Sequence, residues 1–251
     1  MFCRLTNFNM TGNYKLAESV FSITSIHNQI HSFFSDYVTS EKAEFTVVSE
    51  QADIDFERAK SEAEDKAQGR DKRRIPDSYL EMLSVYRKIC DLMIDKDVLL
   101  FHSSALELDG TAYLFTAPSG TGKSTHARLW REHFGDRVVM INDDKPLIKL
   151  EGDTATVYGT PYGGKEGIQN NRKAKVGAIF VLYQAKENSV RPISPSEAYP
   201  MLFNQTYRPN DPAKILRTME LVEVLSRLPI YSLGCNISHD AVITAYNALK
   251  S

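Results

Sequence analysis

A glycine-rich stretch near the middle of the chain carries the residue types that bind phosphate. Residues 117–125 read APSGTGKST. Its two glycines permit the positive φ at which backbone N–H groups converge on an anion, and the Lys-Ser pair supplies a cation and a hydroxyl ligand for Mg²⁺. The alternative, a chance Gly/Ser turn before a helix, leaves the register of the Lys-Ser pair unexplained. The stretch therefore predicts a loop that holds the phosphates of a nucleotide.

The residues assigned to the nucleotide are Ser119, Gly120, Thr121, Gly122, Lys123, Ser124 and Thr125. Lys123 is expected to reach the β- and γ-phosphates, and the Ser124 hydroxyl is expected to hold Mg²⁺. Ala117 takes the place of the first glycine of the usual pattern, which matters little because Gly120 and Gly122 supply the backbone freedom. The cofactors predicted from this loop are ATP, or another nucleoside triphosphate, and Mg²⁺.

A second chemical signal follows the loop. The apolar run at residues 138–141 leads into Asn142, Asp143 and Asp144. In phosphate-loop proteins an acid at the end of a strand holds Mg²⁺, and a further acid can accept the proton of an attacking hydroxyl. The alternative is that one of the two acids caps a turn before Pro146. The doubled acid therefore favours a metal site combined with phosphoryl transfer.

His102 lies on the predicted strand that leads into a hairpin and then into the glycine-rich stretch. Three interpretations stay open for this side chain: a satisfied histidine of the core, a contact to the phosphates, or a group that orients an acid. The hairpin places the strand of His102 beside the strand that ends at the loop. His102 is therefore a candidate residue of the site.

A second loop has unusual composition. Residues 159–167 contain four glycines, a proline and Lys165. Such a segment imposes special backbone requirements. It either connects two strands of a hairpin or lines the site, where Gly163 and Gly164 would offer N–H groups and Lys165 a cation. Lys165 is accordingly a candidate catalytic residue, together with Lys123.

The elements that must position these groups alternate between strands and helices. The predicted strands cover residues 98–108, 111–116, 138–144, 147–150, 155–158, 176–182 and 229–233. The predicted helices cover residues 126–132, 212–225 and 239–249, and another begins at residue 194. Asp109 and Gly110 form the two-residue turn between the first two strands. The pattern predicts an α/β domain with a mixed sheet at its core, covering residues 98–251.

Residues 1–97 are predicted to form a separate, smaller α+β region. Its predicted elements are strands at 21–24 and 45–48, a helical stretch at 30–37 and a helix that begins at Pro76, with an apolar stripe that includes Tyr79. The dense mixed charge of residues 55–74 is interpreted as a solvated helix that Gly69 ends, followed by a linker.

The composition of the chain excludes some classes of protein. The chain has 251 residues, a formal net charge of −2 and 42% hydrophobic residues. These values favour a globular protein without a nucleic-acid or membrane partner. The three cysteines are far apart and odd in number, and no signal-peptide or spanning pattern occurs. We therefore expect a cytoplasmic protein without a disulfide framework.

Taken together, these motifs resemble a known family. His102-Ser103, the Asp109-Gly110 turn, the stretch 119–124 and the acids at 142–144 are similar to the catalytic domain of HPr kinase/phosphorylase. The similarity is greater to the shorter HPr kinase-like serine kinases of bacteria, whose phosphate-loop fold resembles phosphoenolpyruvate carboxykinase. It covers roughly residues 98–250, whereas residues 1–97 do not resemble the N-terminal domain of the full-length enzymes.

The resemblance implies a role for each matching position. Lys123 would hold the phosphates, Ser124 and Asp144 would hold Mg²⁺, and Asp143 would be the catalytic acid/base that also lies at the metal. His102 matches the family histidine near the phosphates. The implied partner is a protein, peptide or small-molecule hydroxyl acceptor, and a second copy of the chain is also considered because full-length members form oligomers.

Three functions are weighed on these observations. The first is a Mg²⁺- and nucleotide-dependent kinase that phosphorylates a hydroxyl, foremost a serine in a protein or peptide. The second is a nucleotide-binding regulatory module with little or no transfer. The third, a GTPase-type switch, is disfavoured because the sequence has no Asn-Lys-x-Asp run to read guanine. The doubled acid favours the kinase, since a binder needs only one metal acid.

Overall fold

The computed structural model describes residues 10–164 and 166–250. The chain divides into two compact units, Met1–Leu92 and Met93–Ser251. The boundary predicted from sequence, between residues 97 and 98, lies a few residues further along. Within the described ranges, no helix has both the length and the apolar character needed to cross a membrane.

The first unit is built on a three-stranded sheet. Its elements in chain order are β1 (Met10–Leu16), β2 (Ser19–Ser25), α1 (Gln29–Phe33), β3 (Phe45–Val48), α2 (Gln51–Ala67) and α3 (Asp77–Met93). The central strand β2 pairs antiparallel with β1 and parallel with β3. The strands predicted at 21–24 and 45–48 are present, whereas β1 was missed.

Two sequence interpretations of this unit need correction. Helix α2 does end just before Gly69, but Glu57 and Asp65 are buried instead of solvated. Arg87 pairs with Glu57 at 2.7 Å and Arg73 with Asp65 at 2.8 Å, which lets the carboxylates lie inside. In α3 most of the predicted apolar stripe is buried, but its first position, Tyr79, is exposed, and the neighbouring Leu80 is buried.

The second unit contains the remaining elements. The strands are β4 (Val98–Leu100), β5 (Ser104–Leu108), β6 (Thr111–Thr116), β7 (Val138–Asn142), β8 (Leu147–Glu151), β9 (Thr154–Tyr158), β10 (Lys173–Gln184), β11 (Ser189–Pro192) and β12 (Ile230–Cys235). The helices are α4 (Lys123–Phe134), α5 (Pro195–Gln205), α6 (Pro212–Leu225) and α7 (Asp240–Ala248). The strands form one mixed sheet in the order β4-β8-β9-β10-β6-β5-β7, with β12 also on β10 and β11 on β12.

Alternation along the strands gives this sheet two apolar faces. On β6, Leu114 belongs to one buried cluster and Phe115 to the other. The first cluster includes side chains of α5 and α6, and the second includes side chains of α4 and α7. Because side chains on a strand point alternately to opposite faces, the sheet is covered by helices on both sides. The unit is therefore an α/β fold, as the sequence predicted.

Strand directions bring three chain segments to one edge of the sheet. β5 and β6 form an antiparallel hairpin whose turn residues Asp109 and Gly110 have φ of 51° and 85°. β7 pairs antiparallel with β5, so it runs parallel to β6. The carboxyl ends of β6 and β7 and the amino end of β5 therefore meet at the same edge, which we call the loop edge.

The strand predicted over residues 98–108 is wrong as a single element. It breaks after Leu100, and its two halves pair with different partners, β4 with β8 and β5 with β6 and β7. At the break the His102 N–H donates to Gln205 O at 2.8 Å and the Ser103 N–H to Asp144 O at 3.2 Å. These two backbone N–H groups are therefore hydrogen-bonded to other segments of the chain and not to a neighbouring strand of one continuous sheet ladder. The break places His102 at the loop edge.

Candidate functional site

The glycine-rich loop connects β6 to α4, as predicted. Gly120 and Gly122 have φ of 81° and 121°, and a Cβ added at either would meet no atom within 4 Å. The backbone therefore requires glycine here for conformation, and the space beside it is open. Helix α4 begins at Lys123, and its N-cap Gly122 provides no side-chain cap. The first-turn N–H groups consequently lack a side-chain acceptor, which is the arrangement that binds anions.

Lys123 lies across the loop that it belongs to. Its ammonium donates to Ala117 O at 2.9 Å, and its side chain is buried. Burial lowers the pKa of the Lys123 ammonium, while the charges of Asp144 and Asp143 oppose that shift. The buried Ala117 belongs to the cluster beneath the loop, so the residue that replaces the usual glycine packs into the core.

These residues fit a nucleoside triphosphate with Mg²⁺. The loop offers backbone N–H groups and one cation, and Ser124, Asp143 and Asp144 offer oxygen ligands of the kind that Mg²⁺ prefers. The described part of the chain contains no cluster of three or more His, Cys, Asp or Glu side chains that could bind a metal. Mg²⁺ does not need one, since one or two carboxylates suffice when phosphates and water complete its shell.

Asp143 is buried between two hydroxyl groups. Ser104 Oγ donates to Asp143 Oδ1 at 2.7 Å, and the Ser124 side chain also hydrogen-bonds to this carboxylate. Burial is the largest influence and raises the pKa of Asp143 above its usual range, although both hydroxyl contacts act in the opposite direction. The charges of Glu166 and Asp144 add to the rise. A raised pKa makes a carboxylate a stronger base than a solvated one, which suits a proton acceptor.

Asp144 has the opposite environment. His102 Nε2 lies 3.0 Å from its Oδ1, and Lys145 Nζ lies 3.5 Å from its Oδ2. Burial alone would raise the pKa of Asp144, but the hydrogen bond from His102 and the charge of Lys145 outweigh it, and the pKa is lowered. Asp144 therefore keeps its negative charge, which suits a ligand of a cation.

His102 contacts acceptor groups on both sides of its ring. Nδ1 lies 3.2 Å from Gln205 Oε1, and Nε2 faces Asp144. Of the three interpretations that the sequence left open for His102, this geometry matches a group that orients an acid.

A buried amide shapes the turn that carries the two acids. Asn142 Oδ1 accepts from the backbone N–H groups of Asp144 at 2.9 Å and Lys145 at 2.8 Å. Its Nδ2 donates to Thr160 O at 3.0 Å, and Thr160 Oγ1 donates to Lys145 O at 2.9 Å. These bonds fix the backbone between the acids and join the turn to the start of the second loop.

The second glycine-rich loop connects β9 to β10 and also covers the acids. A Cβ at Gly159 would lie 1.9 Å from Asn170 O, and one at Gly164 would lie 2.8 Å from Asp144 Cβ. The loop therefore satisfies both interpretations offered by the sequence, since it is a strand connection that approaches the site. Lys165 lies outside the described residues, and its catalytic role stays a prediction.

A small pocket opens beside Asp143, with a volume of about 90 Å³. Ser124 and Thr125 line it, together with Arg128, Arg131 and Glu166. Thr125 was assigned to the nucleotide and here borders this pocket. Sequence reasoning did not single out the arginines, although their spacing from Ser124 along a predicted helix was a usable signal.

Other residues of the site were also missed. Neither Ser104 nor Lys145 was singled out from the sequence. Gln205 contacts His102 across 103 positions of sequence, which no local pattern could reveal. Arg172, which follows the second glycine-rich loop, pairs with Glu107 at 3.1 Å.

Comparison with known proteins gives limited support. No family model and no curated protein matches the chain. Among solved structures, the chain is similar to the HPr(Ser) kinase/phosphatase from Coxiella burnetii, with 14% sequence identity and a TM-score of 0.33. The match covers 59% of this chain and 95% of that one. The likeness is a distant structural relation only, so the function proposed below is drawn from the geometry of the site.

Proposed function

We propose that this chain is a kinase that transfers the γ-phosphoryl group of ATP, or of another nucleoside triphosphate, to a hydroxyl. The observation that carries the proposal is the contrast between two adjacent acids at the end of β7. Burial raises the pKa of Asp143, whereas His102 and Lys145 hold that of Asp144 low. Neighbouring carboxyl groups whose pKa values are pushed apart mark separate acid–base and charge roles.

In this proposal each residue has a distinct task. The loop amides and Lys123 bind the phosphates, and Ser124 and Asp144 hold Mg²⁺, which neutralises charge on the transferred group. Asp143 lies next to Ser124 and accepts the proton of the attacking hydroxyl. His102 fixes the carboxylate of Asp144 and is a positioning residue. The acceptor class proposed is a serine of a protein or peptide, in keeping with the family resemblance of the motifs.

The direct test incubates the protein with ATP labelled at the γ-phosphate, Mg²⁺ and a set of serine peptides. Mass spectrometry then identifies any phosphorylated residue. Transfer to a hydroxyl that requires Mg²⁺ supports the proposal. Tight ATP binding without transfer to any acceptor would instead indicate the nucleotide-binding regulatory module, and absence of ATP binding would contradict both functions.

A further inference from the structure

The pocket beside Asp143 is lined by groups of both charges. Asp143, Ser124 and Glu166 line it, as do Arg128 and Arg131 of α4. The carboxylates suit a group that donates a hydrogen bond, such as a hydroxyl, whereas the arginines suit an anion. A ligand that fills this pocket therefore needs both a donor and a negative group.

Helix geometry explains why these residues share one wall. Arg128 and Arg131 follow Ser124 by four and seven positions, so all three lie on the same face of α4. Both arginines therefore line the pocket together with Ser124. The residue that the proposed function places at Mg²⁺ and the two cations are thus held by one rigid element.

The two arginines differ in their partners. Arg128 Nη1 contacts Glu132 at 2.5 Å in an exposed pair on the same helix. Arg131 is half-buried, and no carboxylate in residues 10–164 and 166–250 pairs with it. Glu166 lines the same pocket without reaching Arg131. A guanidinium that is partly withdrawn from water and unpaired gains more from an incoming anion than an exposed, paired one.

The volume of the pocket limits what enters it. About 90 Å³ holds a hydroxymethyl group with its nearest atoms, whereas sites for whole drug-sized ligands measure roughly 300 Å³ or more. A nucleotide base does not fit this space. A serine side chain fits, and the rest of a larger acceptor would lie outside the pocket, beside Arg128 and Arg131.

We propose that this pocket receives the phosphoryl acceptor, and that Arg131, assisted by Arg128, selects an acceptor whose hydroxyl has a carboxylate or phosphate close by. The inference rests on the kinase function proposed above. The shared chemistry is a serine-type hydroxyl with a neighbouring anion, supplied either by an acidic peptide or by a free hydroxy amino acid. Arg131 is a specificity-determining residue in this scheme, and Asp143 takes the proton of the bound hydroxyl.

The test compares three probes: a short acetylated peptide with one serine flanked by glutamates, its glutamine counterpart, and free L-serine. Binding to the nucleotide-free protein is measured by calorimetry, and transfer is measured with labelled ATP. We expect wild type to favour the glutamate peptide or L-serine over the glutamine peptide by about tenfold or more, the size of a charge-assisted hydrogen bond. Preference for the peptide or for L-serine identifies the source of the anion.

In Arg131→Gln the preference should vanish through a higher KM for the anionic acceptor, while ATP affinity stays at the wild-type value. Arg227→Gln is the control. Arg227 has an i,i+4 partner and lies outside the pocket, so this variant should keep the preference for the anionic acceptor. Circular dichroism confirms that both variants fold. Equal use of the glutamate and glutamine peptides by wild type, or a preference that survives in Arg131→Gln, overturns the inference.

The two proposals fail separately. Transfer that ignores acceptor charge would overturn the acceptor pocket but leave the kinase function standing. An anion preference in binding that depends on Arg131, without transfer under any condition, would support the pocket and contradict the kinase. Loss of both signals would overturn the acceptor pocket, and ATP affinity then decides whether the nucleotide site stands.

Discussion

His102 Nε2 and Asp144 Oδ1 lie 3.0 Å apart at the loop edge, in a contact formed because the chain leaves β4 before it enters β5. The imidazole is held on its other side by Gln205. Asp144 is therefore oriented by a residue that itself is fixed by packing and hydrogen bonds. This is the relation expected between a metal ligand and the group that orients it.

The first prediction concerns that pair. Replacing His102 by Ala removes the group that orients Asp144, so the Mg²⁺ concentration needed for half-maximal transfer should rise by about 10- to 100-fold. Nucleotide affinity at saturating Mg²⁺ should change little. Gln205→Ala, which leaves the contact to Asp144 in place, should have a smaller effect. A loss of nucleotide affinity as large as that of a phosphate-loop variant would instead indicate that His102 contacts the phosphates.

Asp143 offers a test of the division of roles between the acids. Asp143→Asn keeps the size of the side chain and its contact with Ser104 but cannot accept a proton. We expect transfer to fall by roughly 10²- to 10⁴-fold, the usual contribution of general base catalysis, with ATP–Mg²⁺ affinity nearly unchanged in calorimetry. In the matched variant Asp144→Asn, affinity for Mg²⁺ should weaken. Equal loss of binding in both variants would show that the two roles are assigned wrongly.

The proposed phosphate-binding role of the first glycine-rich loop is tested by removing its cation. Lys123→Ala should weaken ATP binding by at least about tenfold, since a charge-assisted contact to phosphate is lost. Lys149→Ala serves as the control because its ammonium pairs with Glu151 of the same strand, β8. Calorimetry with ATP and Mg²⁺ measures both. Unchanged affinity in Lys123→Ala would remove the assignment of this loop to the nucleotide.

Two glycines of the second glycine-rich loop allow the effect of close packing to be distinguished from the effect of backbone strain. Gly164 and Gly167 have φ of 70° and 62°, but only at Gly164 would a Cβ meet Asp144, at 2.8 Å. Both alanine variants should lose about 1 kcal/mol of stability from the left-handed conformation. Phosphoryl transfer should fall further in Gly164→Ala than in Gly167→Ala because Asp144 must shift to make room for the new Cβ. Equal transfer rates in the two variants would mean that the loop does not restrain Asp144.

Much of the fold could be predicted because its signals are local. The strand–loop–helix of residues 111–134, the hairpin at Asp109 and the acids after β7 each follow from neighbouring residues. The break in the strand at residues 98–108 could not be predicted, since its apolar run is continuous and only distant partners interrupt it. His126 lies within the predicted helix, but the sequence did not predict its burial, which lowers its pKa to about 4. Nor did it predict the hydrogen bond that Trp130 donates to His126 at 3.0 Å.

The candidate site divides in the same way. Residues that act through their own backbone or position, such as Lys123 and the paired acids, stand out in the sequence. Residues whose proposed roles depend on a distant partner do not, because Gln205 and Arg131 reach the loop edge only when α5 and α4 pack against the sheet. Exposed edge strands such as β11 were missed for a related reason, since few apolar residues mark them.

The contact between His102 and Gln205 also bears on how the unit folds. It closes a segment of 103 positions, and such distant contacts are slow to form because the entropy of closing a long loop must be offset first. The glycine-rich loop and its helix can form from nearby sequence, whereas the oriented Asp144 requires α5 to be docked. We therefore expect the contact between His102 and Asp144 to form late in folding, after α5 has docked.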